Sequence, residues 1–197
     1  ASNVIAIAPQ RSSDGYTRLW LNTHQPWEGP VAWYEAYLNS EEGWDFYGAL
    51  FPGSPVPLIG HNKDLGWSHT VNSPDLIDVY KLTVNKQNTN QYWFEGYWKD
   101  FEIREVDIKV KIIGPFSWTF KRTIKKSIHG PVIEFDHGSY GLRISSIKNL
   151  RFLEQWYSMG KSRNLEEFKE SMKIHAIPMF NTGYADKTGN IYYVYNA

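Results

Sequence analysis

The second residue, Ser2, stands directly before an apolar segment and carries a hydroxyl group that can serve as a nucleophile. A serine at a newly generated N-terminus can attack a carbonyl group while its own α-amino group takes the hydroxyl proton. Because an unperturbed α-amino group has a pKa of about 8, a useful fraction of it is neutral at neutral pH. From this position alone, an ordinary flexible chain end is the favoured interpretation.

The histidines do not have the spacing of a metal site. They are His24, His61, His69, His129, His137 and His175. No two of them form an HxxxH or HExxH motif, which would bring two imidazoles to one helical face. The sequence also contains no GxSxG elbow, P-loop or GxGxxG fingerprint. The absence of these motifs counts against a catalytic zinc, an internal-serine hydrolase and a nucleotide enzyme.

The composition, with 16% aromatic residues, indicates a folded protein, and its charge gives no global attraction to nucleic acid or anionic lipid, although a local charged patch stays open. The 197 residues suggest one domain or a large part of one. Lys and Arg number 21, as do Asp and Glu, so the net charge is zero and nucleic acid is a poor candidate partner. The chain has no cysteine, which excludes disulfides and thiolate chemistry. No apolar run is long enough to span a membrane, and an export signal would have to lie upstream of residue 1.

Strand patterns dominate the first 145 residues, which must therefore provide most of the framework. Residues 4–9 are apolar and branched, and an Asp-Gly turn precedes residues 17–21, which predicts an N-terminal hairpin. Two aromatic-rich runs within residues 31–51 are interpreted as strands, although the first also has a helical composition. Apolar and polar residues alternate over 106–112 and 116–120, the period of half-buried strands.

Helical patterns are confined to a late block. Apolar residues recur with helical spacing over 150–157 and again over 165–172, after a predicted break at Gly160. Asn164 and Glu167 form a predicted capping box for the second helix.

The final segment predicts two strands around a Lys-Thr-Gly-Asn turn. Its last run, IYYVY, is apolar, and an apolar strand at a chain end normally needs further chain or a partner to cover it. We therefore expect the chain to be a fragment of a larger folded unit.

A series of short segments then points to a family. In order they are SNVIAIAP, DG, NTHQPW, YEAYL, FPGSPVPLIGHNKDLGWSHTVN, DLIDVY, SIHGPVI at 127–133 and GYADKTGNIYYV at 183–194. Their order and spacing resemble the start of the β-subunit in the penicillin acylase (penicillin amidase) family of N-terminal nucleophile hydrolases. The histidine of NTHQPW is more similar to the cephalosporin, aculeacin and acyl-homoserine-lactone acylase branches than to the penicillin G branch, which has glutamine there.

The resemblance implies an α+β fold, part of a four-layer αββα sandwich with mostly antiparallel β-structure in this chain. Residues 1–197 would form one piece of an acylase β-subunit, an incomplete domain. The implied partners are its own α-subunit, the remainder of the β-subunit and a small-molecule substrate with a linear N-acyl amide bond. A periplasmic or secreted location is also implied, without a membrane span.

The resemblance also assigns catalytic roles. Ser2 would be the nucleophile, released by autocatalytic cleavage of a precursor, and would form an acyl-enzyme that water hydrolyses. His24 matches a histidine near the nucleophile that supports the α-amino base, and the backbone N–H of Val71 matches an oxyanion donor. Taken without the family, His24 would be interpreted as a core histidine and Val71 as a packing residue of a strand.

Two further assignments follow from the resemblance. Gln25 and Ile59 match positions that line the acyl pocket. Asp75, Ile77 and Asp78 match a structural calcium site, to which they would give two carboxylates and one backbone carbonyl. A solvated acidic turn is the alternative for this segment. No organic cofactor is implied.

Ala1 departs from the family pattern, in which cleavage leaves the serine first. If Ala1 is retained, it blocks the α-amino group of Ser2. The alternative function is therefore a degenerate or non-catalytic family member that acts as an aromatic-rich binding or structural module.

Overall fold

The computed structural model describes residues 2–196, the side chain of Asn196 excepted. The earlier strands are β1 (Asn3–Ile7), β2 (Arg18–Asn22), β3 (Tyr34–Ser40), β4 (Trp44–Leu50), β5 (Ile59–His61), β6 (Leu65–Val71), β7 (Ile77–Leu82), β8 (Gln91–Phe94) and β9 (Tyr97–Asp100). The later strands are β10 (Glu102–Ile113), β11 (Phe116–Ser127), β12 (Gly130–Phe135), β13 (Gly138–Ile144), β14 (Phe180–Asp186) and β15 (Ile191–Asn196), and the helices are α1 (Phe152–Lys161) and α2 (Leu165–Met172).

The described residues fall into two compact units. The first comprises residues up to 74 and those from 146 onward, and the second comprises residues 75–145. Every strand pairing in both units is antiparallel. The mostly antiparallel β-structure with one helical block, predicted from the sequence, is therefore present.

The first unit is built on a six-stranded sheet in the order β15-β14-β6-β5-β4-β3. Helices α1 and α2 contribute apolar side chains to the same core as this sheet. At its centre the ring of Phe168 lies 4.7 Å from that of Tyr184 and 5.8 Å from that of Trp67. All three side chains are fully buried, so burial of the apolar stripe of each helix stabilises the layer.

The helix boundaries confirm one prediction and correct another. The Asn164 side chain accepts a hydrogen bond from the Glu167 N–H, which is the N-cap half of the predicted capping box. The Glu167 carboxylate accepts from the Arg163 N–H, one residue before the N-cap, and from Asn164 Nδ2. The predicted break between the two helices is present but begins two residues later than predicted, at Ser162, because Gly160 still belongs to the last turn of α1. A Cβ at this position would lie 2.7 Å from Trp44 Nε1, so the glycine permits close packing and does not end the helix.

The second unit has a five-stranded sheet in the order β10-β11-β12-β13-β7 and the hairpin β8–β9. Its small core contains Leu82, Tyr92 and Phe101. The rings of Tyr92 and Phe101 stack with their centroids 4.7 Å apart. The Tyr92 hydroxyl accepts a hydrogen bond from the Ile128 N–H, so the hairpin is tied to the turn between β11 and β12.

Strands β10 and β11 form a long two-stranded ribbon. Ile108 lies opposite Phe120, and Val110 lies opposite Trp118. Asp107 is one of the charged residues that alternate with these apolar ones. The predicted alternation is present, but the predicted half-burial is wrong, because eleven of the twelve residues of β10 are exposed. An alternation with a period of two places apolar and polar side chains on opposite faces of a strand. It does not show that another layer of the protein covers the apolar face.

Within residues 2–196, neither helix has the length and apolar character needed to cross a lipid bilayer.

Candidate active site

Ser2 directly precedes β1, and β1 pairs with β2 from Asn3 opposite Asn22 to Ile7 opposite Arg18. This hairpin, predicted from the sequence, packs on β14 at a close approach. A Cβ at Gly183 would lie 2.6 Å from Val4 Cγ2. The glycine therefore makes room for the strand that carries Ser2.

We expect Gly183→Ala to displace β1 and destabilise the protein by about 1–3 kcal/mol, the usual cost of overpacking. Val4→Ala in the same molecule removes both methyl groups that the new Cβ would strike. The double variant should therefore regain most of the lost stability in chemical denaturation, together with the reactivity of Ser2 toward an acylating probe. A double variant no more stable than Gly183→Ala alone would show that this contact does not position β1.

Ser2 lines a cavity of about 180 Å³ in the first unit. Its lining residues are Ser2, Thr23, Gln25, Val31, Trp33, Phe51, Leu58, Ile59, His69, Val71, Trp156, Met179 and Phe180. Most of these are apolar, so the cavity suits an apolar group next to a single hydroxyl. Four sequence-predicted site residues, Ser2, Gln25, Ile59 and Val71, thus meet at one cavity.

The backbone N–H of Val71 points away from β14. The Asn72 N–H donates to the Met179 C=O over 3.0 Å, which makes Asn72 and Met179 a hydrogen-bonded pair. The neighbouring pair, Val71 and Phe180, is then a non-hydrogen-bonded one, whose N–H groups point outward. On that side β6 pairs with β5 only through Gly66 and Trp67. The Val71 N–H is consequently oriented toward an open stretch beyond the start of β5.

His24 is adjacent in sequence to two cavity-lining residues but does not line the cavity itself. Thr23 and Gln25 line the cavity, whereas the His24 side chain is exposed, and its backbone has a positive φ of 21°. The Thr23 hydroxyl accepts a 2.6 Å hydrogen bond from Trp33 Nε1, and the Trp33 ring stacks on Phe51 at 4.4 Å. The roles of Ser2, His24, Gln25, Ile59 and Val71 remain predictions.

A second histidine, His69, is buried in the cavity lining and held at both ring nitrogens. Its Nε2 accepts a 3.0 Å hydrogen bond from Trp156 Nε1. Its Nδ1 lies 3.3 Å from the Asn181 carbonyl oxygen and 3.1 Å from Thr182 Oγ1. Since a carbonyl oxygen only accepts, we assign the proton of the neutral ring to Nδ1. Burial lowers the pKa of His69 to about 4, so the imidazole is neutral at neutral pH.

Sequence reasoning missed His69 and Trp156 as site residues. The signal was present in β6, where Trp67, His69 and Val71 alternate and must share one face of the sheet. The residues that contact His69, on α1 and β14, are about 90 and 110 positions away along the chain, so its spacing to other histidines gives no sign of them.

The predicted calcium residues lie at the edge strand of the second unit. Asp75 precedes β7, and Ile77 and Asp78 begin it. The Ser145 N–H donates to the Leu76 C=O, so the next pair is non-hydrogen-bonded and the Ile77 C=O points to the open edge. The donors fit calcium in type, but calcium takes about six to eight oxygens. Within residues 2–196, no three acidic or histidine side chains come together as a metal site. The calcium assignment remains a prediction that needs ligands from elsewhere.

Ala1, whose presence would block the α-amino group of Ser2, lies outside the described residues.

Comparison with known proteins decides the family. A model of the penicillin amidase family matches residues 1–197. The chain belongs to the penicillin amidase family. The resemblance inferred from the short sequence segments is therefore confirmed.

Relatives within the family are named acylases. The chain is 32% identical over 201 residues to the acyl-homoserine lactone acylase PvdQ of Pseudomonas savastanoi pv. phaseolicola, covering 98% of the chain and 26% of that protein. It is 28% identical over 200 residues to the aculeacin-A acylase of Actinoplanes utahensis, covering 98% of the chain and 25% of that protein. The chain thus spans about a quarter of the length of these curated relatives and belongs to a family of amide-hydrolysing enzymes.

The fold matches as well. The thermostable penicillin G acylase of Alcaligenes faecalis superposes with a TM-score of 0.83 at 30% identity, covering 98% of this chain and 35% of that chain. The prediction of an α+β chain that forms part of an N-terminal nucleophile hydrolase sandwich is confirmed by this match.

Proposed function

We propose that this chain supplies the nucleophile and part of the acyl pocket of an acylase. The enzyme would cleave a linear N-acyl amide bond through an acyl-enzyme on Ser2. The observation that carries the proposal is that Ser2 lines a mostly apolar cavity in a chain of the penicillin amidase family.

The proposed reaction begins when Ser2 Oγ attacks the amide carbonyl carbon. The hydroxyl proton passes to the neutral α-amino group of Ser2, and the backbone N–H of Val71 donates to the developing oxyanion. Such a preoriented donor stabilises the transition state by several kcal/mol. The C–N bond then breaks, and the leaving amine takes the proton from the α-amino group.

Hydrolysis of the acyl-enzyme repeats these steps with water. The α-amino group takes a proton from water, the hydroxide adds to the ester carbonyl, and Ser2 Oγ leaves with a proton while the carboxylic acid is released. In this proposal His24 supports the α-amino group, and Gln25 and Ile59 contact the acyl group. No organic cofactor takes part.

A free α-amino group on Ser2 requires that the bond to Ala1 be broken. We therefore propose autocatalytic cleavage before Ser2, which would separate an α-subunit from a β-subunit. The α-subunit and the remainder of the β-subunit would complete the site. The exposed apolar face of the β10–β11 ribbon supports the presence of further chain in the assembled enzyme. A periplasmic or secreted location and a structural calcium belong to the same proposal.

Two measurements on the full-length protein test the function. Intact mass and N-terminal sequencing should show a cut immediately before Ser2. A fluorophosphonate probe should then phosphonylate Ser2 Oγ with loss of fluoride, and peptide mapping identifies the labelled residue. Ser13, exposed in the β1–β2 hairpin, is the matched control and should remain unlabelled. An uncut chain with an unlabelled Ser2 would refute the catalytic proposal and favour the non-catalytic alternative.

A further inference from the structure

The inference concerns the closed end of the Ser2 cavity, and it rests on the proposed function. The lining residues differ in burial. Leu58, Ile59, His69 and Trp156 are each less than a tenth exposed, whereas Val71 is 60% exposed. We infer from this difference that the buried residues form the inner wall of the cavity and that the exposed ones form its mouth. An acyl chain that enters the mouth therefore ends against the inner wall.

Two residues of this wall, His69 and Trp156, carry flat rings with polar edges, and the indole of Trp156 has a single polar atom. Its Nε1–H is buried and donates to His69 Nε2 over 3.0 Å. The Phe152 ring and the indole form an edge-to-face pair with their centroids 6.0 Å apart. A buried N–H without an acceptor costs about 1–3 kcal/mol. The hydrogen bond to His69 therefore selects the orientation of the indole.

His69 is itself fixed from the opposite side. Thr182 and Asn181 on β14 contact its Nδ1, and the Phe180 ring lies 5.3 Å from the imidazole. The rigid strand β14 thus sets the imidazole plane. The imidazole then sets the indole of Trp156 on α1.

We propose that His69 is a positioning residue that locks the Trp156 indole as the inner wall of the acyl cavity and thereby limits the length of the acyl chain. The acyl group is apolar, because the wall offers ring faces and aliphatic groups and its polar atoms are already hydrogen-bonded. Loss of the His69 acceptor frees the indole to turn its N–H toward the cavity, and the length limit changes.

The test uses the full-length protein and p-nitrophenyl esters of linear fatty acids from butyrate to myristate. For the unmodified protein, kcat/KM should rise about fourfold for each methylene group that the cavity buries, and then fall once the chain reaches the wall. His69→Leu and Trp156→Phe should each change the ratio of kcat/KM between the longest ester and the preferred one by about tenfold or more, mainly through KM.

Two matched variants separate positioning from general loosening. His69→Gln keeps an acceptor for the indole and a donor toward β14, so its length profile should stay close to that of the unmodified protein. Asn62→Ala removes hydrogen bonds to the C-terminal carbonyls of α1, away from the cavity lining. It should lower stability without shifting the profile.

The inference is overturned if His69→Leu and Trp156→Phe leave the profile unchanged, or if Asn62→Ala shifts it equally. Calorimetric binding of the free fatty acids gives the same length dependence without turnover. A protein that binds the acids with the expected profile but cleaves no ester would refute the proposed hydrolysis and retain the wall. One that cleaves esters without any dependence on His69 would refute only the wall.

Discussion

Ser2→Ala should reduce amide hydrolysis by about 10⁴- to 10⁶-fold, the range found when a serine nucleophile is removed. The methyl side chain fits wherever the hydroxymethyl group did, so the cavity and the β1–β2 hairpin remain intact. Without Oγ no acyl-enzyme can form. The measurement is initial-rate hydrolysis of a chromogenic N-acyl amide by the full-length protein.

Failed processing and failed hydrolysis must be distinguished in this experiment. Expressing the chain from residue 2 onward, together with its upstream segment as a separate polypeptide, bypasses cleavage. In that format Ser2→Ala should still abolish turnover, and Ser13→Ala should have no effect on it. Hydrolysis retained within tenfold of the unmodified protein would exclude Ser2 as the nucleophile.

Acid should destabilise the protein through His69, by on the order of 3 kcal/mol between pH 6.5 and pH 4. The folded protein holds this imidazole neutral, with a pKa of about 4 because of burial, whereas the unfolded chain protonates it near pH 6.5. As the pH falls through this window, the unfolded state takes up a proton that the folded state refuses. Each pH unit therefore costs up to about 1.4 kcal/mol. Below the folded pKa the loss is complete.

The reference for this prediction is His69→Gln, which accepts from Trp156 but does not titrate. Urea unfolding at pH 7 and at pH 4.5 gives the free energy of unfolding for both proteins. The unmodified protein should lose more stability than the variant by the amount that His69 contributes. Parallel losses in the two proteins would mean that the imidazole is protonated in the folded state as easily as in the unfolded one.

The sequence was informative about local structure because local structure has local causes. The hairpin at β1–β2 follows from an Asp-Gly turn between apolar runs, and Asn164 with Glu167 begins α2 as the capping pattern requires. The failures concern contacts between distant segments. The packing role of Gly160 is one of them, because its partner, Trp44, lies more than 100 residues earlier.

The same distinction applies to the site. Ser2, Gln25, Ile59 and Val71 could be assigned through family motifs, and all four line one cavity. The inner wall could not be assigned, because the imidazole of His69 and the indole of Trp156 meet only when α1 packs on β6. Hydrogen bonds between segments so distant leave no periodic signal in the sequence.

The close approach of Val4 to Gly183 has a temporal consequence. The strand that follows Ser2 rests on β14, which the ribosome makes roughly 180 residues later, and such non-local contacts form late in folding. In the proposed self-cleavage, the scissile bond would acquire its reactive geometry only after β14 has emerged and paired with β6. The contact between Val4 and Gly183 would thus delay the proposed cleavage until the sheet that contains β14 and β6 has formed.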